Sequence, residues 1–169
     1  MSTKARRNTH DMATLPQLLE DDIRQLDEAL RQLLKASNAS TALVIDNGGF
    51  LLTHQGEAEQ FDLTTIAALA SGAYLANQTI ANLVHEENFN SVYQQGEKFS
   101  MFGTRINDET LLLVIFEARV SVGAVKYYAA STVRRIAAQL VIAHERDPDG
   151  GLDLSMLNVA DTSSFFKKK

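Results

Sequence analysis

Cysteine is absent from the 169 residues. Disulfides and thiolate metal sites are therefore excluded, and a cytosolic address is permitted. Positive charge is scarce: 16 Lys and Arg stand against 21 Asp and Glu, a net charge of −5. Nucleic acid is excluded as the main partner, because phosphate binding needs a basic surface. The basic start, with Lys4, Arg6 and Arg7, is followed by no apolar stretch. That is not a secretory signal, and residues 1–13 read as a flexible N-terminal tail. No internal repeat or low-complexity linker divides the chain, so the length fits one domain, 14–146, followed by a C-terminal extension, 147–169.

The most informative shortage is local. From Leu63 to Val84 twenty-two residues pass without a charge. Asp62 stands in front as an N-cap for the N–H groups of Thr64 or Thr65. A surface helix normally carries one apolar stripe and one charged face. A helix with no charged face meets other surfaces on more than one side. Thr64, Thr65, Ser71, Asn77, Gln78, Thr79 and Asn82 interrupt the run, which argues against a membrane span.

Helical spacing divides the run into two stripes. Leu63, Ile66, Ala67, Ala70, Ala73, Tyr74, Asn77, Ile80, Ala81 and Val84 suit packing on a sheet. Ala68, Ser71, Gly72, Leu75, Ala76, Thr79 and Asn82 form the other, where small residues let a second backbone approach and the lack of charge keeps ions out of a dry interface.

Around this helix the pattern is regular. Thr14-Leu15-Pro16-Gln17 reads as a helix start with a capping box. Leu19, Ile23, Leu26, Leu30 and Leu33 follow as its apolar stripe, opposite a wet side of Glu20, Asp21, Arg24, Asp27, Glu28 and Arg31, and Asn38 ends it. Thr41–Ile45 and Phe50–His54 are strands joined at Asp46-Asn47-Gly48-Gly49, where Asn-Gly favours a type I′ turn. Ser91–Gln95 and Lys98–Ile106 are further strands, and Thr110–Phe116, the most hydrophobic, belongs at the sheet centre. Ser121 caps a last helix through His144 whose apolar face includes Val122, Val125, Val133, Ile136, Ala137, Leu140 and Val141. Tyr127 and Tyr128 are placed to pack against the first helix. Strands joined by short turns are antiparallel, and helices cover them, which is an α+β layered domain.

Sites of chemistry are wanting. No Gly-x-x-x-x-Gly-Lys loop is present, so a P-loop nucleotide site is not expected. His85-Glu86-Glu87-Asn88-Phe89 lacks the second His of a zinc-protease helix, and His10, His54 and His144 are dispersed. No cofactor or metal is expected. Arg105 and Arg119 are candidates for an arginine finger, with a surface or ion-pair role the simpler reading of both.

Ala42-Leu43-Val44-Ile45-Asp46-Asn47-Gly48-Gly49-Phe50-Leu51-Leu52, the small-residue helix with Leu69-Ala70-Ser71-Gly72-Ala73, Gln94-Gln95-Gly96-Glu97, and Leu113–Phe116 followed by Ser121-Val122-Gly123-Ala124-Val125-Lys126 occur in the order of a known family. Over roughly Leu19 to Leu140 the chain resembles the Roadblock/dynein light chain domain family, in particular its MglB-like bacterial gliding-motility regulators. The resemblance implies a five-stranded antiparallel sheet with helices on both faces, in the order α-β-β-α-β-β-β-α. It implies a homodimer formed through the uncharged helix and the third strand, whose paired helices are a platform for a small Ras-like GTPase. It implies a cytoplasmic regulator that is not itself an enzyme and that repositions the GTPase's own catalytic groups. A tethering scaffold of the same fold, and a small ligand sensor or enzyme with a pocket beside the sheet, are the alternatives. Leu75 and Thr79 are bulkier than the Ala or Gly often found on this face of the family. The extension offers Leu154, Leu157, Phe165 and Phe166 as an anchor on the partner.

Overall fold

Hydrophobic period decides the architecture. Leu111, Leu113 and Ile115 turn to one side of their strand and Leu112, Val114 and Phe116 to the other, and all six are buried. A strand covered on both faces reads as a continuous apolar run and occupies the middle of a sheet. A computed structural model describes residues 15–148 and has that strand at the centre. The elements are α1 (Glu20–Ser37), β1 (Thr41–Asp46), β2 (Leu51–Gly56), α2 (Leu63–Leu83), β3 (Ser91–Gln94), β4 (Phe99–Arg105), β5 (Thr110–Glu117) and α3 (Val122–Arg146). The five strands form one sheet in the order β2-β1-β5-β4-β3, and every pairing is antiparallel. This is the element order and the five-stranded antiparallel sheet that the resemblance implies.

Each face of the sheet has its own core. On one, α1 contributes Leu26, Leu30 and Leu33 and α3 contributes Val125, Ile136 and Leu140 against Val44, Leu112, Val114 and Phe116. Truncating any of the three fully buried α1 leucines to Ala is expected to cost about 3 kcal/mol. On the other face α2 packs Leu63, Ala67 and Tyr74 on Leu43, Ile45, Leu111, Leu113 and Ile115. The edges, β2 and β3, differ. All of β2 but its last residue is at least half covered, whereas Ser91, Tyr93 and Gln94 of β3 are exposed.

Four local expectations are corrected. α1 begins at Glu20, not at Thr14-Leu15-Pro16-Gln17; Thr14 lies outside the described residues. The reason is Asp22, whose carboxylate accepts from the Leu19 N–H at 2.8 Å, the return half of a capping box. Its Oδ1 also accepts from Gln139 Nε2 at 2.7 Å, and the Arg146 guanidinium grips both oxygens at 2.8 and 3.0 Å. This buried carboxylate ties the start of α1 to the end of α3. Second, the β1–β2 turn is not type I′, which needs positive φ at Asn47 and Gly48; Gly49 carries it instead, at 88°. The Gly49 N–H donates to the Asp46 carbonyl at 2.9 Å, and the Asp46 carboxylate accepts from the Phe50 N–H at 2.8 Å. Third, Tyr127 is 75% exposed rather than packed on α1, and it meets Tyr128 edge to face at 5.2 Å. Fourth, Val141 leaves the apolar face of α3 for solvent.

Candidate interaction surface

α2 is held at both ends and along one side. Asp62 accepts from the Thr65 N–H at 3.1 Å and from the Thr65 hydroxyl at 2.6 Å, and these bonds lower its pKa. At the other end His85 adopts φ 64°, so that its N–H reaches the Asn82 carbonyl at 3.2 Å and the Glu86 N–H the Ala81 carbonyl at 2.9 Å. That is a Schellman closure, unusual in having His where Gly is preferred. His85 thus ends a helix, as its missing second His suggested.

Along the side, the β1–β2 turn is pressed onto the helix. The Ser71 hydroxyl donates to the Asn47 carbonyl at 2.7 Å. A Cβ on Gly49 would come to 2.9 Å from the Ala68 Cα, so both the approach and the positive φ require glycine there. Ser71, assigned from spacing to the outer stripe, is therefore buried and works as a strut for the turn. The wheel angle placed it outward; the turn came up to meet it.

The remaining outer positions, Ala68, Gly72, Leu75, Ala76, Thr79 and Asn82, are exposed. Their neighbours Leu69 and Leu83 are 69% and 75% exposed, and Leu75 is 51% exposed. A Cβ on Gly72 would meet nothing within 4 Å. Thr79 turns its hydroxyl back to the Leu75 carbonyl at 3.3 Å. Ile80 and Val84, expected on the sheet, are also exposed, and Ala73 with them. The physical reason is that α2 stands off from β3 and β4, leaving an apolar cavity of about 280 Å³ whose walls include Ala73 and Asn77 of α2 and Val92 and Gln94 of β3. The surface thus joins a charge-free helix face to an edge strand paired on one side only. On the opposite side of β3, Tyr93 stacks on Phe116 at 6.2 Å with the Lys126 ammonium 5.8 Å above its ring.

The arginines have partners at hand. Arg105, ending β4, pairs with Asp108, and Arg119 pairs with Glu117. Among the described residues no group of three or more His, Asp or Glu side chains is placed to hold a metal, and no helix is long and apolar enough to cross a membrane. Leu154, Leu157, Phe165 and Phe166 lie outside the described residues.

Comparison with known proteins agrees with this geometry. The Roadblock/LC7 domain matches residues 25–116. A solved MglB with a tetrameric arrangement is 25% identical, with a TM-score of 0.73 over 78% of this chain and 98% of that one. The gliding protein MglB from Thermus thermophilus is 26% identical, with a TM-score of 0.71 over 76% and 97%. MglB from Myxococcus xanthus, 24% identical, shares the fold with a TM-score of 0.70 over 75% and 96%. No curated protein matches the sequence. With more than half its length matched by the domain and its fold shared with MglB, the chain belongs to the Roadblock/LC7 domain family.

Proposed function

We propose that this chain is a homodimeric, cytoplasmic regulator of a small Ras-like GTPase of the MglA type, and that it speeds GTP hydrolysis by repositioning the GTPase's own catalytic groups. The observation that supports the reading most is the outer face of α2. Its leucines are exposed where a lone protein would place charge. Beside it the open edge of β3 offers backbone N–H and C=O groups to a second strand. Two copies related by a two-fold axis cover both features at once: α2 packs on α2 through Ala68, Gly72 and Ala76, and β3 continues the sheet. The exposed leucines that remain, with Leu75, Thr79 and Asn82, form the platform for the GTPase. Residues 147–169 form an extension beyond the folded domain, and Leu154, Leu157, Phe165 and Phe166 anchor on the docked partner.

No arginine finger is assigned. Arg105 and Arg119 are engaged by Asp108 and Glu117, and neither belongs to α2. The test is mass by light scattering, alone and with a GTP-loaded GTPase, while phosphate release is followed. A dimer that binds and accelerates release supports the activator. A dimer that binds without acceleration identifies a tethering scaffold, and a monomer that ignores the GTPase removes the reading.

A further inference from the structure

The outer face of α3 stays uncovered in the dimer proposed above, because α3 packs on the face of the sheet opposite to α2. Tyr127, Ala130, Arg134, Ala138, Val141 and Ile142 recur along it at helical spacing, and all are exposed. Tyr127, Val141 and Ile142 are each more than half exposed. A surface helix normally gives such positions to charged residues. In α3 the charge that remains has one sign. From Ala118 to His144 twenty-seven residues pass without an Asp or Glu, while Arg119, Lys126, Arg134 and Arg135 lie among them. Arg119 is paired with Glu117, Arg135 donates to Gln32 of α1, and Lys126 lies over the rings of Tyr93 and Phe102. Among the described residues Arg134 has no carboxylate within salt-bridge distance. It is an unpaired cation in the middle of an apolar stripe.

The sequence that continues from this helix has the complementary character. Between Arg146 and Lys167 it carries Asp147, Asp149, Asp153 and Asp161 and no Lys or Arg. Leu152, Leu154, Met156, Leu157 and Val159 fall between the last acids. Pro148 and Gly150-Gly151 break the helix and permit a reversal of the chain. From Ile142 back to Tyr127 is about 22 Å along α3. Residues 152–161 reach about 33 Å when extended, enough to cover that distance. The α2 face suits this segment less, since it offers the aspartates no cation.

We propose that residues 152–161 fold back on the outer face of α3 of their own chain, with the leucines on Tyr127, Val141 and Ile142 and an aspartate beside Arg134. A short tether supplies an effective concentration of about 1 mM, so a contact with an intrinsic Kd of about 0.1 mM is closed about tenfold more often than open. One consequence rests on the function proposed above: Leu154 and Leu157 lie on α3 until a docked GTPase takes them.

The absence of cysteine makes the test direct, because Ser155→Cys supplies a single site for a spin label on the full chain. The label and the isotope are carried on the same chain, mixed with an excess of unlabelled copies. The expected result is loss of amide signals along the outer face of α3 between Tyr127 and Ile142, restored when the label is reduced. Leu154→Asp with Leu157→Asp, outside the folded domain, is expected to weaken the contact at least about tenfold and return the signals. Ile142→Glu, at an exposed position, is expected to do the same with the melting temperature maintained. Signals lost nowhere, evenly over the chain or on α2 overturn the proposal. So does a loss that either variant leaves unchanged, and so does a loss that vanishes on mixing with unlabelled copies, which would place the segment on another chain. Adding a GTP-loaded GTPase is expected to return the α3 signals. A GTPase that binds and leaves them lost removes the anchoring role of Leu154 and Leu157 and leaves the seat on α3 standing.

Discussion

Gly72 offers a substitution whose effects on folding and on association have opposite signs. In the single chain its side is open, since an added Cβ meets nothing within 4 Å. Glycine inside a helix costs about 0.8–1 kcal/mol relative to Ala, and Arg is nearly as good a helix former as Ala. Gly72→Ala and Gly72→Arg are therefore both expected to stabilise the isolated chain by about 0.5–1 kcal/mol, or about 1–4 °C at this size. In a two-fold interface the same position occurs twice, and two guanidinium groups would meet there in an apolar, charge-free setting. An unpaired buried charge costs several kcal/mol, so a penalty of about 3 kcal/mol or more weakens dimerisation over 100-fold. The Ala variant adds one methyl per copy at a close backbone approach and is expected to weaken association by about 1–3 kcal/mol. Because a dimer adds concentration-dependent stability, denaturant unfolding is to be compared well below the dimer dissociation constant. Light scattering then reads association. Gly72→Arg that stays dimeric and still binds the GTPase would refute the platform; Gly72→Ala that destabilises the dilute chain would refute the open side.

Further predictions concern the scaffold. Asp22→Ala removes a buried carboxylate with four donor contacts and should cost about 2 kcal/mol in urea unfolding, the range for hydrogen bonds to a charged group. Arg146→Met should destabilise more, because the charge left behind is buried. The Arg146 guanidinium, with the Gln139 and Leu19 donors, holds the Asp22 pKa well below the carboxylate range. The stability this contributes is complete above the unfolded value of about 3.9 and is lost as pH falls below it. Asp22→Asn should accordingly flatten the fall in stability below about pH 4, and an unchanged acid transition would contradict the clasp. Gly49→Ala forces a left-handed residue against the Ala68 backbone and should cost about 2 kcal/mol, read by thermal unfolding. Arg105→Ala and Arg119→Ala should leave GTPase acceleration within about twofold, whereas a finger contributes about a thousandfold or more.

The sequence made the elements legible wherever one periodicity dominated. The leucines of α1, the two-sided apolar run of β5 and the uncharged span of α2 each admit one arrangement, and the helix and strand order follows from them. The misreadings share a cause, which is contact between distant residues. Asp22 stood among acidic neighbours that are wet, and its partners Gln139 and Arg146 lie 117 and 124 positions away. Asn-Gly suggested a type I′ turn, yet the following Gly49 takes the left-handed angle because the turn must fit against Ala68. Ser71 shares its helical angle with exposed residues until that turn covers it. Ile80 and Val84 continue the inward stripe beyond the point where the sheet is close enough to receive them. In the candidate site, Ala68, Gly72, Leu75, Ala76, Thr79 and Asn82 were readable as an outward face because missing charge is a local property. The cavity was not readable, because it depends on the separation of α2 from β3 and β4.

The two layers differ in how completely they are satisfied. On the α1/α3 side, buried polar groups are paired: Asp22 has its donors, the Ser37 hydroxyl reaches the Leu33 carbonyl at 2.7 Å, and Thr132 reaches the Tyr128 carbonyl at 3.1 Å. Among the described residues the buried side-chain atoms without a partner are the Tyr74 hydroxyl and Gln78 Oε1, both on α2. The same layer carries the exposed Leu69, Leu75 and Leu83, and β3, the less covered sheet edge, borders it. A fold whose costs concentrate on one side reduces them most by covering that side. The prediction is directional: conditions that strip away a bound copy or ligand should loosen α2 and β3 first. Amide exchange on dilution should accelerate in residues 63–94 while α1, β5 and α3 keep their protection. Uniform acceleration across the chain would mean that the two layers do not differ in this way.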